Sequence, residues 1–263
     1  MRAPFFRGSV LGFLAGLFAF TVSAIPLAAQ VAPAASSYGA LEWRTIGPEG
    51  NRFSSAAGIP SEPYTYYVGS ASGGVYKTTD GGVNWDEMFD DQPVQSIGSL
   101  AVSPTNPNIV WAGTGEGKIR SHISIGQGVY KSTDAGDTWT LMGLEATGRI
   151  PRLAVHPTDP SIVFVCALGH SYGPQPERGV FRTLDGGESW EHVLFVDEDT
   201  GCSDIAMDAA NPRVLFAGMW QLEIHTWGRT SGGPGGGLHV TRDGGDTWER
   251  LSGPDNGLGL PTK

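Results

Sequence analysis

The chain has 263 residues, with 17 Lys and Arg against 27 Asp and Glu and a formal net charge of −10. That balance repels phosphate backbones and anionic lipid, which excludes nucleic acid and membrane surfaces as partners. Thirty-nine glycines, 18 prolines and eight tryptophans, scattered along the chain, describe many short strands and turns rather than disorder.

The chain begins with a segment that reads as an export signal over residues 1–29. Arg2 and Arg7 form its positive end, Val10 to Phe20 its apolar core, and small residues place cleavage after Ala24 or Ala29. The alternative is a retained anchor, since no charge stands between Gly8 and Ala40; Gly12, Gly16 and Pro26 weaken a spanning helix and favour cleavage. Either way the protein is exported, to the periplasm or the extracellular space, with no membrane contact beyond the leader. Residues 30–40 read as a flexible lead-in, and 41–263 as the folded domain.

From there the sequence repeats. Four segments align without gaps: AAGIPSEPYTYYVGSA from Ala56, LAVSPTNPNIVWAGTG from Leu100, LAVHPTDPSIVFVCAL from Leu153 and IAMDAANPRVLFAGMW from Ile205. Each is apolar, then a polar turn ending in proline, then apolar again, which is a β-hairpin pattern. A second hairpin follows in every unit: GVYKTTDGGVNW, GVYKSTDAGDTW, GVFRTLDGGESW and GLHVTRDGGDTW. Its pattern, Ser/Thr-x-Asp-x-Gly-x-x-Trp, ends at Trp85, Trp139, Trp190 and Trp248. Asp80, Asp134, Asp185 and Asp243 are expected to accept hydrogen bonds within their own turns, and each tryptophan to bury its ring between neighbouring sheets. Repetition puts these aspartates at separated, equivalent places, so they are read as scaffold and no catalytic residue is assigned.

Units of about 50 residues with four strands each predict an all-β fold, a β-propeller of four-stranded antiparallel blades with four blades present. Leu41 to Pro48 resembles the strand after the fourth corner, which gives five copies of the outermost strand and four of the inner ones. The expectation is an incomplete ring whose missing blades lie beyond Lys263, with a closed four-bladed ring as the rival reading.

Function is expected on the loops between the second and third strands, which vary in length while the hairpins do not. The second unit's loop carries Glu116, Arg120 and His122; the third carries His170, Tyr172 and Arg178; the fourth, read as a long loop over Met219–Gly236, carries Trp220, Trp227 and Arg229. Arg120, Arg178 and Arg229 form a trio suited to holding a carboxylate or another anion. The competing reading pairs them with Glu116, Glu177 and Glu223 of their own loops. Cys166 and Cys202 have no metal-binding spacing, and no metal or cofactor is implied. One disulfide is open to them in an oxidising compartment, and two packed thiols are the expectation.

These corners with their flanking hairpins resemble the Asp-box (BNR) repeat propellers, and most of all the secreted bacterial sortilin-like and glycosyl-hydrolase-like repeat proteins. The stretches that carry the resemblance include ALGHSYGPQPERGVFRTLDGG and SGGPGGGLHVTRDGGDTW. It implies a propeller that binds a peptide or a carbohydrate on the face opposite the corners, or a glycoside hydrolase with acids on its loops (Glu116, Glu177) or in missing blades. Xyloglucanases of this superfamily carry a catalytic aspartate in a Thr-Asp-x-Gly-Gly segment; the matching residues are Ser70 to Gly74, with Ala71 at the aspartate position. Sialidases carry an Arg-Ile-Pro segment ahead of the first box. Arg149-Ile150-Pro151 spells it between boxes two and three, and is read as coincidence.

Overall fold

Tight turns and short runs of β-branched and aromatic residues produce seventeen strands among the described residues. The computed structural model describes residues 39, 47–50, 52–120 and 123–252. The leader, residues 30–38 and 40 of the lead-in, the strand expected around Trp43 and His122 lie outside the described residues. All the strands belong to one compact unit, Thr45–Lys263.

The strands form four antiparallel sheets in chain order. The first contains β1 (Phe53–Ile59), β2 (Glu62–Ser70), β3 (Val75–Thr78) and β4 (Asp86–Glu87). The second contains β5 (Ile97–Val102), β6 (Val110–Thr114), β7 (Val129–Ser132) and β8 (Thr140–Leu141). The third is β9 (Arg152–Val155), β10 (Val163–Ala167), β11 (Gly179–Thr183) and β12 (Glu191–Leu194). The fourth holds β13 (Thr200–Met207), β14 (Leu215–His225), β16 (Gly237–Thr241) and β17 (Glu249–Arg250), and β15 (Gly228–Ser231) pairs with the far end of β14. These are the blades that the repeat predicts. The fourth loop is the exception: Met219–Gly236 is largely a hairpin, with Leu222 opposite Ser231 and His225 opposite Gly228. QLEIH and GRTS keep the strand pattern going past the point where the other blades turn.

The core lies between blades. Tyr67, Val75 and Phe89 of the first blade pack with Ile97, Tyr130 and Trp139 of the second. Trp111 and Val129 of the second meet Leu153, Val163 and Val165 of the third. Phe164, Cys166 and Val180 of the third meet Ile205, Leu215 and Ala217 of the fourth. Side chains alternate across a strand, so β10 gives Val163 and Val165 to one neighbour and Phe164 and Cys166 to the other. A strand buried on both faces is apolar throughout, which is why VFVCA has no polar position.

Cys166 and Cys202 are joined by a disulfide across the third and fourth blades, with Cα atoms 5.0 Å apart. This corrects the expectation of two packed thiols. Both residues are fully buried in the same interface, and β10 and β13 hold their backbones within bonding range.

The aspartate corners close as the motif predicts. Thr78 Oγ1 accepts the Gly82 N–H at 3.0 Å and donates to Asp80 Oδ1 at 2.8 Å; Asp80 Oδ1 then accepts the Val83 and Asn84 N–H groups, both at 2.9 Å. Ser132 with Asp134, Thr183 with Asp185 and Thr241 with Asp243 repeat the arrangement. The bonds from Asn84 above all hold the Asp80 carboxyl down at about 2, and those from Thr138 do the same for Asp134. Ser189 and Thr247 drive Asp185 and Asp243 lower still. The tryptophans differ from the expectation in part: Trp139 is buried, while Trp85, Trp190 and Trp248 are half-buried.

Two further contacts recur between blades that the motif alone did not disclose. Lys77, Lys131 and Arg182, all three residues before a corner aspartate, donate to the carbonyls of Ala135, Gly186 and Gly244 in the next blade's corner, at 2.9, 2.8 and 2.6 Å. In the opposite direction, Trp139 and Trp190 Nε1 each donate at 2.7 Å to the preceding blade, to the carbonyls of Met88 and Met142. In the fourth blade Val240 stands at the cation position.

Candidate functional site

The corners and the proline turns share one end of the blades. Gly81 N–H bonds to Tyr64, Ala135 to Asn108, Gly186 to Ser161 and Gly244 to Arg213, each corner resting on its own blade's first turn. The loops leaving the second strands therefore lie at the other end, and they open a hollow of about 790 Å³.

Its lining comes from all four blades. Two of its arginines precede innermost strands: Arg52 before β1 and Arg149 before β9. Their repeat positions are equivalent, because the N–H groups of Ala71, Gly115 and Leu168 donate to the carbonyls of Arg52, Ser96 and Arg149 at 3.1, 2.7 and 2.9 Å. Arg120 comes from the second blade's loop and Arg229 from the hairpin of the fourth. Four cations thus face one hollow in an acidic protein.

Glu116 organises part of this cluster. Its buried carboxylate takes Arg52 Nη2 at 3.1 Å and Arg120 Nε at 3.4 Å. A buried carboxylate persists only with such partners. Arg149 is 4% exposed; its Nη1 donates to the Gly169 carbonyl at 3.3 Å, and its Nε has no acceptor. Burial lowers its pKa, with the Glu116 charge opposing. Beside it, the buried Ser171 hydroxyl also has no partner. Tyr172, 63% exposed, lines the third blade's side, and His225 and Thr226 the fourth's. The His225 ring stacks on Trp227, with centroids 4.8 Å apart and planes at 3°, and Trp227 is 84% exposed at the hairpin tip. No Asp or Glu lines the hollow among the described residues.

Of the candidate residues, the structure brings Arg120, Tyr172 and Arg229 to the hollow, with Glu116 behind them. Trp227 reaches it only through its stack on His225, and the other described candidates do not line it. Arg178 is 1% exposed, and its guanidinium is caged by main-chain carbonyls rather than paired with Glu177: Asp199 at 2.6 Å, and Leu222, His170 and Gly173 each at 3.1 Å. His170 Nε2 faces the Ala146 carbonyl at 3.1 Å, between blades. Trp220 Nε1 donates to the Ser231 hydroxyl of the hairpin at 3.0 Å. Glu223 lies 3.6 Å from His225. Sequence reasoning missed Arg52 as a site residue and set Arg149 aside. The signal was present: each stands four residues ahead of its aligned segment, at Ala56 and Leu153.

A family model described as sortilin, neurotensin receptor 3, matches residues 73–216, more than half of the chain. The chain belongs to the sortilin–Vps10 family. This sortilin-family propeller is also similar to a xyloglucanase of Paenibacillus sp., 27% identical over 211 residues that cover 73% of the chain and 20% of that enzyme. It is 26% identical over 220 residues to the photosystem II assembly lipoprotein Ycf48 of a Synechococcus strain, covering 70% of the chain and 57% of that protein. Among solved structures, an ancestral GH74 enzyme superposes with a TM-score of 0.60 at 22% identity, over 82% of the chain and 26% of the enzyme. That last likeness concerns the fold. The chain spans only part of the curated relatives it matches, about a fifth of the Paenibacillus enzyme.

Proposed function

We propose that this chain is a binding module that grips an anionic group of a peptide or glycan in the arginine-lined hollow, on the face opposite the aspartate corners. The observation that carries this reading is the convergence of Arg52, Arg120, Arg149 and Arg229 on a hollow with no carboxylate in its described lining. Guanidinium groups fix carboxylates and similar anions by charge-assisted bonds, and a low-dielectric recess strengthens them. Hydrolysis of a glycosidic bond needs two carboxyl groups flanking it. Ala71, at the position of the xyloglucanase aspartate, has none and is buried. The leader-like residues 1–29 and the Cys166–Cys202 bond both fit an exported protein, since disulfides persist in oxidising compartments.

A glycan and peptide array tests the reading. Binding is expected, and Arg120→Ala with Arg229→Ala is expected to abolish it. Binding that survives both substitutions would place the site elsewhere. The identity with xyloglucanases favours a second reading, a glycoside hydrolase using Glu116 and Glu177. Glu116 is held by two arginines, and Glu177 does not line the hollow. Glycan hydrolysis lost on Glu116→Gln or Glu177→Gln would replace the binding reading with this one.

A further inference from the structure

Resting on that binding reading, we propose that the ligand is a glycan carrying an isolated uronic acid in an otherwise neutral chain, with the sugar carboxylate on the Arg149 floor. Four features of the hollow select this chemistry.

First, three polar atoms of its lining residues are unpaired. Arg149 Nε and Ser171 Oγ are buried without hydrogen-bond partners, and Arg52 Nε is a third such atom. A buried donor left unpaired is costly, and an oxyanion bound beside these groups would supply the missing acceptor. Second, the walls carry hydroxyls: Ser72, Ser124 and Thr226 line the hollow with Ser171. A sugar ring presents hydroxyls that act as both donors and acceptors, and these side chains do the same. Third, flat surfaces stand at the rim. Tyr172 lies on one side, and the His225–Trp227 stack rises from the β14–β15 hairpin on the other. Exposed aromatic faces of this kind hold a pyranose by its C–H face. Among the described residues, aliphatic lining is limited to Ile123 and Ile224, too little to form the apolar pocket that anchors a peptide side chain. Fourth, the net charge of −10 opposes any long polyanion, while the local cluster attracts a single anionic residue.

The test is titration calorimetry of the 263-residue chain with aldotetraouronic acid, a xylose trimer bearing one glucuronic acid. The comparison ligands are its methyl ester, neutral xylotetraose, and a hexapeptide as free acid and as C-terminal amide. The acid is expected to bind roughly tenfold to hundredfold more tightly than the ester or xylotetraose, the loss that follows removal of a charge-assisted contact. Arg149→Met is expected to abolish binding; because Arg149 is buried, folding is checked by circular dichroism. Arg229→Ala and Tyr172→Ala alter exposed positions, and each is expected to weaken binding at least about fivefold. Equal affinity for acid and ester overturns the carboxylate assignment. Peptide acid that binds in an Arg149-dependent way while the uronate does not overturns the glycan assignment and leaves the binding reading standing. Failure of every ligand to titrate against folded protein overturns both.

Discussion

Arg178→Met removes a guanidinium that the hollow does not use but that joins two blades. Its Nη1 reaches the Asp199 and Leu222 carbonyls, and its Nη2 those of His170 and Gly173, at 2.6 to 3.1 Å. Each charge-assisted bond is worth about 1.5–3 kcal/mol. The whole sum is not lost, because methionine keeps the apolar stem packed and water reaches the exposed Gly173. The expected loss is about 4 kcal/mol, in the range for breaking a buried charged contact. At roughly 2–4 °C per kcal/mol for a fold of this size, Tm falls by about 8–16 °C. Thermal melts followed by circular dichroism, with urea titrations for the free energy, measure it. Arg178→Lys keeps the charge but not the fork and should recover about half of the loss. An Arg178→Met protein within about 1 kcal/mol of the parent would refute the role of the carbonyl cage.

Three further outcomes follow from the scaffold. The corner carboxyls lie below their unfolded value near 4, so their contribution is complete above about pH 4 and is lost as pH falls towards 2; Tm should hold from pH 7 to 5 and drop between 4 and 2, and a melt that stays level to pH 2 would contradict this. Ala135 sits at φ 61° where the other three corners have glycine, so Ala135→Gly should raise stability by about 0.5–1 kcal/mol while Gly186→Ala lowers it by a similar amount, both read from urea midpoints. Replacing Cys166 and Cys202 together with alanine opens a link spanning 36 residues and should cost about 4 kcal/mol; chemical reduction of the parent, compared by thermal melt, should give the same shift.

The four-blade architecture was legible in the sequence because its determinants are local. A hydroxyl, an aspartate and two small residues close a turn within five positions, as Thr78 to Gly82 do, and the chemistry is the same wherever the chain places it. The apolar run VFVCA likewise announces a strand buried on both faces. Contacts between blades were not legible from any one unit. That Lys131 reaches Gly186 and Trp190 reaches Met142 depends on how far one blade is rotated against the next. The site shows the same division. Composition of the loops pointed to Arg120, Tyr172 and Arg229, but the partner of a long cation is decided by distance in space. Tertiary packing turned Arg178 inward to four carbonyls, brought Arg52 and Arg149 from separate blades to one hollow, and set Cys166 against Cys202. Sequence determined the corners and strands, whose bonds span a few residues; the hollow exists only where four blades meet.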